Sequence, residues 1–253
     1  MARHQPIART FCAAALSAAL WLGASVAAQA AAPVPAPAPD VDALVTYETR
    51  QVTSAGVTRT ERWQERLVRR AGVVWTARVL PAGLAALHPA ERAPERPNER
   101  APERANERAN EHAGHTHFDF DTAARLVERA RNGELRLRFV DREHKVVVSV
   151  PKAEYGAVGF DGNWEAAAYI VPPTVAARMG AAAADGWRTE KAKGWSHKLR
   201  WSTAQQLPLR VESRRDDGNV TRLVTVTPVA ASAALPWRDI DAFDQKEYDD
   251  FMD

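Results

Sequence analysis

The stretch "VDALVTYETRQVTSAGVTRTERWQERLVRRAGVVWTARVLP", residues 41–81, decides how this chain is to be read. It is rich in β-branched and aromatic residues, and it is punctuated at Ser54-Ala55-Gly56 and at Ala71-Gly72. That pattern predicts three antiparallel strands, near residues 43–53, 57–70 and 73–80. Within "VTRTERWQERLV" polar and apolar positions alternate, as on a sheet with one dry and one wet face.

Upstream, the order of parts is that of a secretory leader. Arg3 and Arg9 precede the apolar run "FCAAALSAALWLGASVA", which ends at the small-residue site Ala28-Gln29-Ala30. Cleavage is expected after Ala30, giving a signal peptide over 1–30 and a periplasmic or secreted address. The run is too short and Ala-rich to predict a lasting membrane span. "AAPVPAPAPD", residues 31–40, alternates Pro with small residues and reads as an extended linker. The single cysteine, Cys12, leaves with the leader, which excludes disulfides, thiol catalysis and zinc-thiolate sites from the mature chain. Of 34 basic and 32 acidic residues, Arg3 and Arg9 also leave, so 34 − 2 = 32 against 32 and the mature net charge is zero.

Downstream of the strands the chain turns monotonous. In residues 89–114, Glu91, Glu95, Glu99, Glu103, Glu107 and Glu111 recur every four positions, with Pro89, Pro94, Pro97 and Pro102 among them. Prolines and stacked like charges oppose a helix, and no apolar residue larger than alanine or proline is available to offset ordering entropy. This segment is expected to be a disordered, charge-balanced insert in one domain spanning 41–253.

Beyond it, "DTAARLVERARNG" predicts a helix capped by Asp121, with Ala123, Leu126, Val127 and Ala130 on one face and Gly133 as terminator. "ELRLRFVD" and "HKVVVSVP" predict two strands. A short helix or strand is expected around Trp164–Val171, and a Pro-started helical turn over Pro173–Met179. "GWSHKLRWST", "LPLRVESRRDDGN" and "VTRLVTVTPV" complete the strands, with Asp217-Gly218-Asn219 as a hairpin turn. The tail "WRDIDAFDQKEYDDFMD" spaces Ile240, Phe243, Tyr248 and Phe251 as a helix would, and is expected to dock that aromatic face despite its acidic last turn.

Two groups of residues are candidates for function. His112, His115, His117 and Asp119 fall in "HAGHTHFDFD", where an extended chain would put His115, His117, Asp119 and Asp121 on one side. Imidazole and carboxylate ligands suit Zn or Cu, and His88 at the other end of the insert would join them if its ends meet. The alternative is that Phe118 and Phe120 anchor the returning chain, an Asp caps it, and the histidines face water. The second group is the tryptophans: Trp63, Trp75, Trp164, Trp195 and Trp201 suit either a core or an apolar ligand cleft. Basic clusters such as "RLVRR" and "ESRR" have acids interleaved, so they read as solvated strand faces and not as a nucleic-acid or anionic-surface site. No G-x-S-x-G, H-E-x-x-H, phosphate-loop or dinucleotide pattern is present, and the expectation is a protein that is not an enzyme.

A secreted chain with a three-strand meander, then a helix, then further strands ending in "LPLRVESRRDDGNVTRLVTVTPV", with its "LP-L-R-V-E" strand, hairpin and "V-T-V" strand, resembles the LolA/LolB/RseB group. The resemblance implies an α+β fold in which a curved antiparallel sheet, an open half-barrel, packs with a few helices. It also implies a carrier or sensor of apolar ligands or lipidated proteins. The insert, "HTHFDFD" and the tail depart from the group. Three readings follow: a carrier for an apolar ligand or lipidated partner, a metal-binding protein, or an accessory partner of an envelope complex acting through an acidic C-terminal helix.

Overall fold

The computed structural model describes residues 38–80 and 118–251. The leader, most of the linker, the repeat insert and the histidines His88, His112, His115 and His117 fall outside the described residues.

The opening stretch forms β1 (Val41–Val52), β2 (Thr58–Arg70) and β3 (Val73–Arg78), each antiparallel to the next. The β2–β3 turn needs glycine twice over. Gly72 sits at φ 72°, and a Cβ there would lie 3.1 Å from the Arg129 carbonyl, whose own N–H donates to Gly72 O at 2.7 Å.

After the insert comes β4 (Ala124–Arg129), where the spacing predicts a helix. The segment "ARLVER" satisfies both periods, because Arg125 and Val127 face one way and Ala124 and Leu126 the other. Partners on both sides, β3 and β5 (Leu135–Asp141), decide for the strand. Phe118 and Phe120 anchor the returning chain against Phe139, Tyr248 and Phe251.

β6 (Val146–Val150) follows, then a loop to two short helices. α1 (Trp164–Tyr169) is capped by Asn163, whose side chain accepts from the N–H groups of Glu165 and Ala166. α2 (Pro173–Arg178) starts with proline at its first position. Then come β7 (Trp187–Ala192), β8 (Trp195–Ser202), β9 (Leu207–Arg215) and β10 (Val220–Val229). β7 is an addition to the sequence reading, and as an edge strand with only Trp187 and Ala192 apolar it carries no alternation to betray it.

The tail does not form the acidic helix predicted for it. Ile240–Ala242 is a 3₁₀ turn, β11 (Asp244–Glu247) runs parallel to β6, and Tyr248–Phe251 is a second 3₁₀ turn. Pairing with the free edge of β6 satisfies this backbone outside a helix, while Ile240, Tyr248 and Phe251 still dock as anchors.

Together the strands make one eleven-stranded sheet in the order β11-β6-β5-β4-β3-β2-β1-β10-β9-β8-β7, open between its two edge strands. The fold class is α+β. Its inner face carries α1, α2, residues 155–160 and the aromatic anchors over Val45, Leu67, Val127, Leu137 and Val148. On the outer face, among the described residues, Ile240, Trp237 and Phe243 pack on Val68, Trp75, Leu126, Val140 and Val147, from the end of β2 to β6, and Ser232 lies on Asp42 at the start of β1. No helix among the described residues is long and apolar enough to cross a membrane.

Candidate functional site: a half-covered aromatic lane on the inner face

Register places one row of inner-face side chains across five strands: Trp63 on β2, Tyr47 on β1, Val224 on β10, Val211 on β9 and Leu199 on β8. Four strand spacings make this lane about 19 Å long. Leu199 is buried beneath Val171 and Ala176 of the α2 region, whereas Val211, Val224, Tyr47 and Trp63 are half-buried. Among the described residues, the helices therefore roof one end of the lane and leave the other open.

At the open end Tyr47 and Trp63 stack, with ring centroids 5.2 Å apart and planes 16° from parallel. The Arg78 guanidinium lies 5.9 Å from the Trp63 ring. Burial, and then the charge of Glu65, push the Tyr47 phenol well above the ordinary tyrosine range, with Arg125 pulling weakly the other way. Tyr47 is thus a neutral hydrogen-bonding group at any physiological pH.

One rung further along the strands the lining turns polar, with Thr49, Arg222, Ser213 and His197 in line. Arg222 sits 5.0 Å from the Trp195 ring, Trp195 stacks on His197 at 6.2 Å, and the His197 Nδ1 is 2.9 Å from Ser213 Oγ. An apolar strip thus runs beside a cation held on an aromatic face.

The roof is fixed by Arg69, which alternation turns toward the inner face beside Leu67. Its side chain is fully buried and donates to the carbonyls of Pro39 at 3.1 Å, Ala168 at 2.8 Å, Gln206 at 3.3 Å and Gln205. It also packs 5.0 Å from the Tyr169 ring. Burial pushes its guanidinium down to about 10, which leaves it charged at neutral pH. This clasp ties the linker, the end of α1 and the β8–β9 turn to β2. Nothing in "RLVRR" marks it except parity, since Arg69 shares the face of Leu67.

The five tryptophans singled out from sequence do not gather in one cleft. Trp63 stands at the open end of the lane, Trp195 lies on the inner face of β8 two rungs along from Leu199, and Trp201 packs beside Leu199 and Met179 at the roofed end. Trp164 is a buried core residue of α1, with Arg129 4.7 Å above its ring. Trp75 is buried on the opposite face, beneath Ile240. Tyr47 and Arg222 were missed, because which way a strand side chain points depends on register.

Of the metal candidates, only Asp119 lies within the described residues. Its carboxylate accepts from the N–H groups of Asp121 and Thr122 and from the Thr122 hydroxyl at 2.7 Å, closing a turn before β4. Among the described residues no three His, Cys, Asp or Glu side chains are grouped as a metal site would require.

No family model matches the sequence, and no curated protein matches it. Among solved structures, the chain is similar to PNGF-II, with 9% identity, a TM-score of 0.32, and 84% of this chain covered against 32% of that one. This chain thus spans about a third of the length of PNGF-II. It is similar to a putative outer membrane lipoprotein-sorting protein domain from Vibrio parahaemolyticus, with 10% identity and a TM-score of 0.29 over 80% of this chain and 90% of that one. A DUF1329 family protein from Desulfovibrio piger gives 8% identity and a TM-score of 0.30 over 81% and 92%.

Proposed function

We propose that this protein is a non-enzymatic binding protein or carrier of the bacterial envelope, and that it holds the apolar chain of an amphiphile or lipidated partner along the inner-face lane. The observation that carries this reading is the half-roofed row Leu199, Val211, Val224, Tyr47 and Trp63, continuous with the core at one end and open at the other. A lane of about 19 Å is long enough for an acyl chain, which in a bilayer leaflet reaches about 15 Å. Arg222 and Arg78, each over an indole, stand where an anionic or polar head would emerge. The envelope address rests on the secretory leader read over residues 1–30.

Fluorescence tests the reading directly. A brominated fatty acid is expected to quench tryptophan emission saturably, with most of the effect lost in Trp63→Phe. Trp63→Ala is expected to weaken binding by about tenfold, the loss of one aromatic stack and its buried area. Quenching that does not saturate, or that is unchanged in both variants, overturns it.

A further inference from the structure

Alternation along the strands sorts charges that the sequence interleaves. On β2, Glu61 and Glu65 face inward while Arg62 and Arg66 face outward. The same sorting on β1, β9, β8 and β7 brings Arg50, Arg62, Arg214, Lys198, Arg200 and Lys191, all exposed among the described residues, onto one outer surface. Among the described residues none of these six takes part in an ion pair.

Three more cations on this face do have carboxylate partners, Arg210 with Glu212 at 2.8 Å, Arg66 with Asp42 at 3.4 Å and Arg70 with Asp42 at 2.7 Å. Glu48 is the remaining acid there. Register sets Glu48 opposite Arg62 and Glu212 opposite Lys198, and it sets Arg200 directly opposite Arg210, a like-charge cross-strand pair in which Glu212 partners Arg210 and Arg200 has no carboxylate partner among the described residues. The surface spans six strands, about 24 Å across and about 20 Å along them.

We propose that this outer face, from β2 to β7, docks on an anionic phospholipid surface. Charge complementarity carries the choice. The cations spread in two dimensions, as on a headgroup plane, and do not follow a stripe or groove that tracks a nucleic-acid backbone. Trp187 is the aromatic this face presents, at its edge and beside Arg200 at 5.9 Å, so there is no row of rings on which bases could stack. Arg and Lys stems with a rim tryptophan suit the boundary between water and headgroups. The inference stands apart from the inner-face lane, since the two surfaces are opposite sides of one sheet. A protein lying on its outer face would hold its lane away from the bilayer plane.

Flotation of the full chain with vesicles tests it, using mixed phosphatidylglycerol and phosphatidylcholine against phosphatidylcholine alone. Binding is expected to the anionic vesicles only, and to fall at high salt. Each neutralised cation is expected to lower partitioning about fivefold. The triple variant Arg50→Gln, Lys198→Gln, Arg214→Gln should therefore lose about a hundredfold. A control triple, Arg131→Gln, Arg136→Gln, Lys152→Gln, removes exposed cations from elsewhere and should bind as the unaltered chain does. Trp63→Ala should also still float, which separates this surface from the lane. Equal binding to both vesicles, an unaffected outer-face triple variant, equal loss in the control, or binding of a DNA oligonucleotide without binding of vesicles overturns the proposal.

Discussion

The sheet has two halves that share strands of the same kind but differ in what covers them. From β3 to β6 both faces are packed: Val127, Leu137 and Val148 lie under α1 and the aromatic anchors, and Trp75, Leu126, Val140 and Val147 lie under residues 237–243. From β2 across β1 to β7 the inner face is only partly roofed, and the outer face presents Thr, Glu, Arg and Lys. The contrast originates in the sequence at outward-facing positions. Among the described residues, a second layer of chain settles on the apolar outward positions from β3 to β6, and none settles on the exposed charged ones of β9, β8 and β7. Buried packing is thereby concentrated in the first half, and exposed surface in the second.

The sharpest way to break this comparison is to shorten one leucine in each half. Leu126 and Leu223 both face outward, but Leu126 is 0% exposed and Leu223 is half-buried on bare sheet. Leu126→Ala should lose about 2–5 kcal/mol in urea unfolding, and Leu223→Ala about 1 kcal/mol or less. Equal losses would mean that both halves are packed alike.

Arg69 joins the roof to the second half. Arg69→Met should lower stability by about 2–3 kcal/mol, since the carbonyls of Ala168, Gln205 and Gln206 lose their donor. It should also open the roofed end of the lane, read as faster hydrogen exchange in α1. Unchanged exchange there would detach the clasp from the roof.

Asp42 gives a smaller effect with a definite sign. Its carboxylate is buried on the outer side, 2.7 Å from an Arg70 Nη and accepting from the Ser232 N–H at 3.1 Å. Burial alone would raise its pKa, but the Ser232 N–H and the guanidiniums of Arg70 and Arg66 outweigh it and hold the carboxyl below its usual value. A carboxyl depressed in the fold stabilises it fully above the unfolded value of about 4, and that contribution fades as pH falls through the folded value. The stability gap between the unaltered chain and Asp42→Asn should therefore be constant near neutrality and shrink on acidification. Urea midpoints measured across that range check this, and a gap that widens in acid would reverse the assignment.

The smallest effect concerns the cover itself. Arg142 makes paired hydrogen bonds to Asp239 at 2.7 and 3.1 Å and donates to Pro236 O at 2.7 Å, above Trp75. It is partly exposed, so Arg142→Ala should cost only about 1 kcal/mol, with Trp75 emission shifting to the red as water reaches it.

How much of this was legible follows from the period of two. The opening meander, the β5 and β6 pair and the β9–β10 hairpin were readable because their alternation and turn residues agree. "ARLVER" was not, because six residues fit either period and only the neighbouring strands decide. The tail's aromatics were readable as anchors but not as parts of a parallel strand, since the free edge of β6 is visible only in three dimensions. The same limit hid the site. Glu61, Arg62, Glu65 and Arg66 look mutually neutralising along the chain, yet they lie on opposite sides of the sheet.

Arg69 also bears on how long the folded state lasts. Its acceptors lie 30, 99, 136 and 137 residues away along the chain, so all of them meet only once the sheet and its roof are assembled. An interaction that needs such distant segments together is expected to form after the transition state. Its loss appears in the unfolding rate while the refolding rate stays as it was. The guanidinium acts as a latch on the lifetime of the closed molecule, and Arg69→Met should steepen the decay of the native state without delaying its formation.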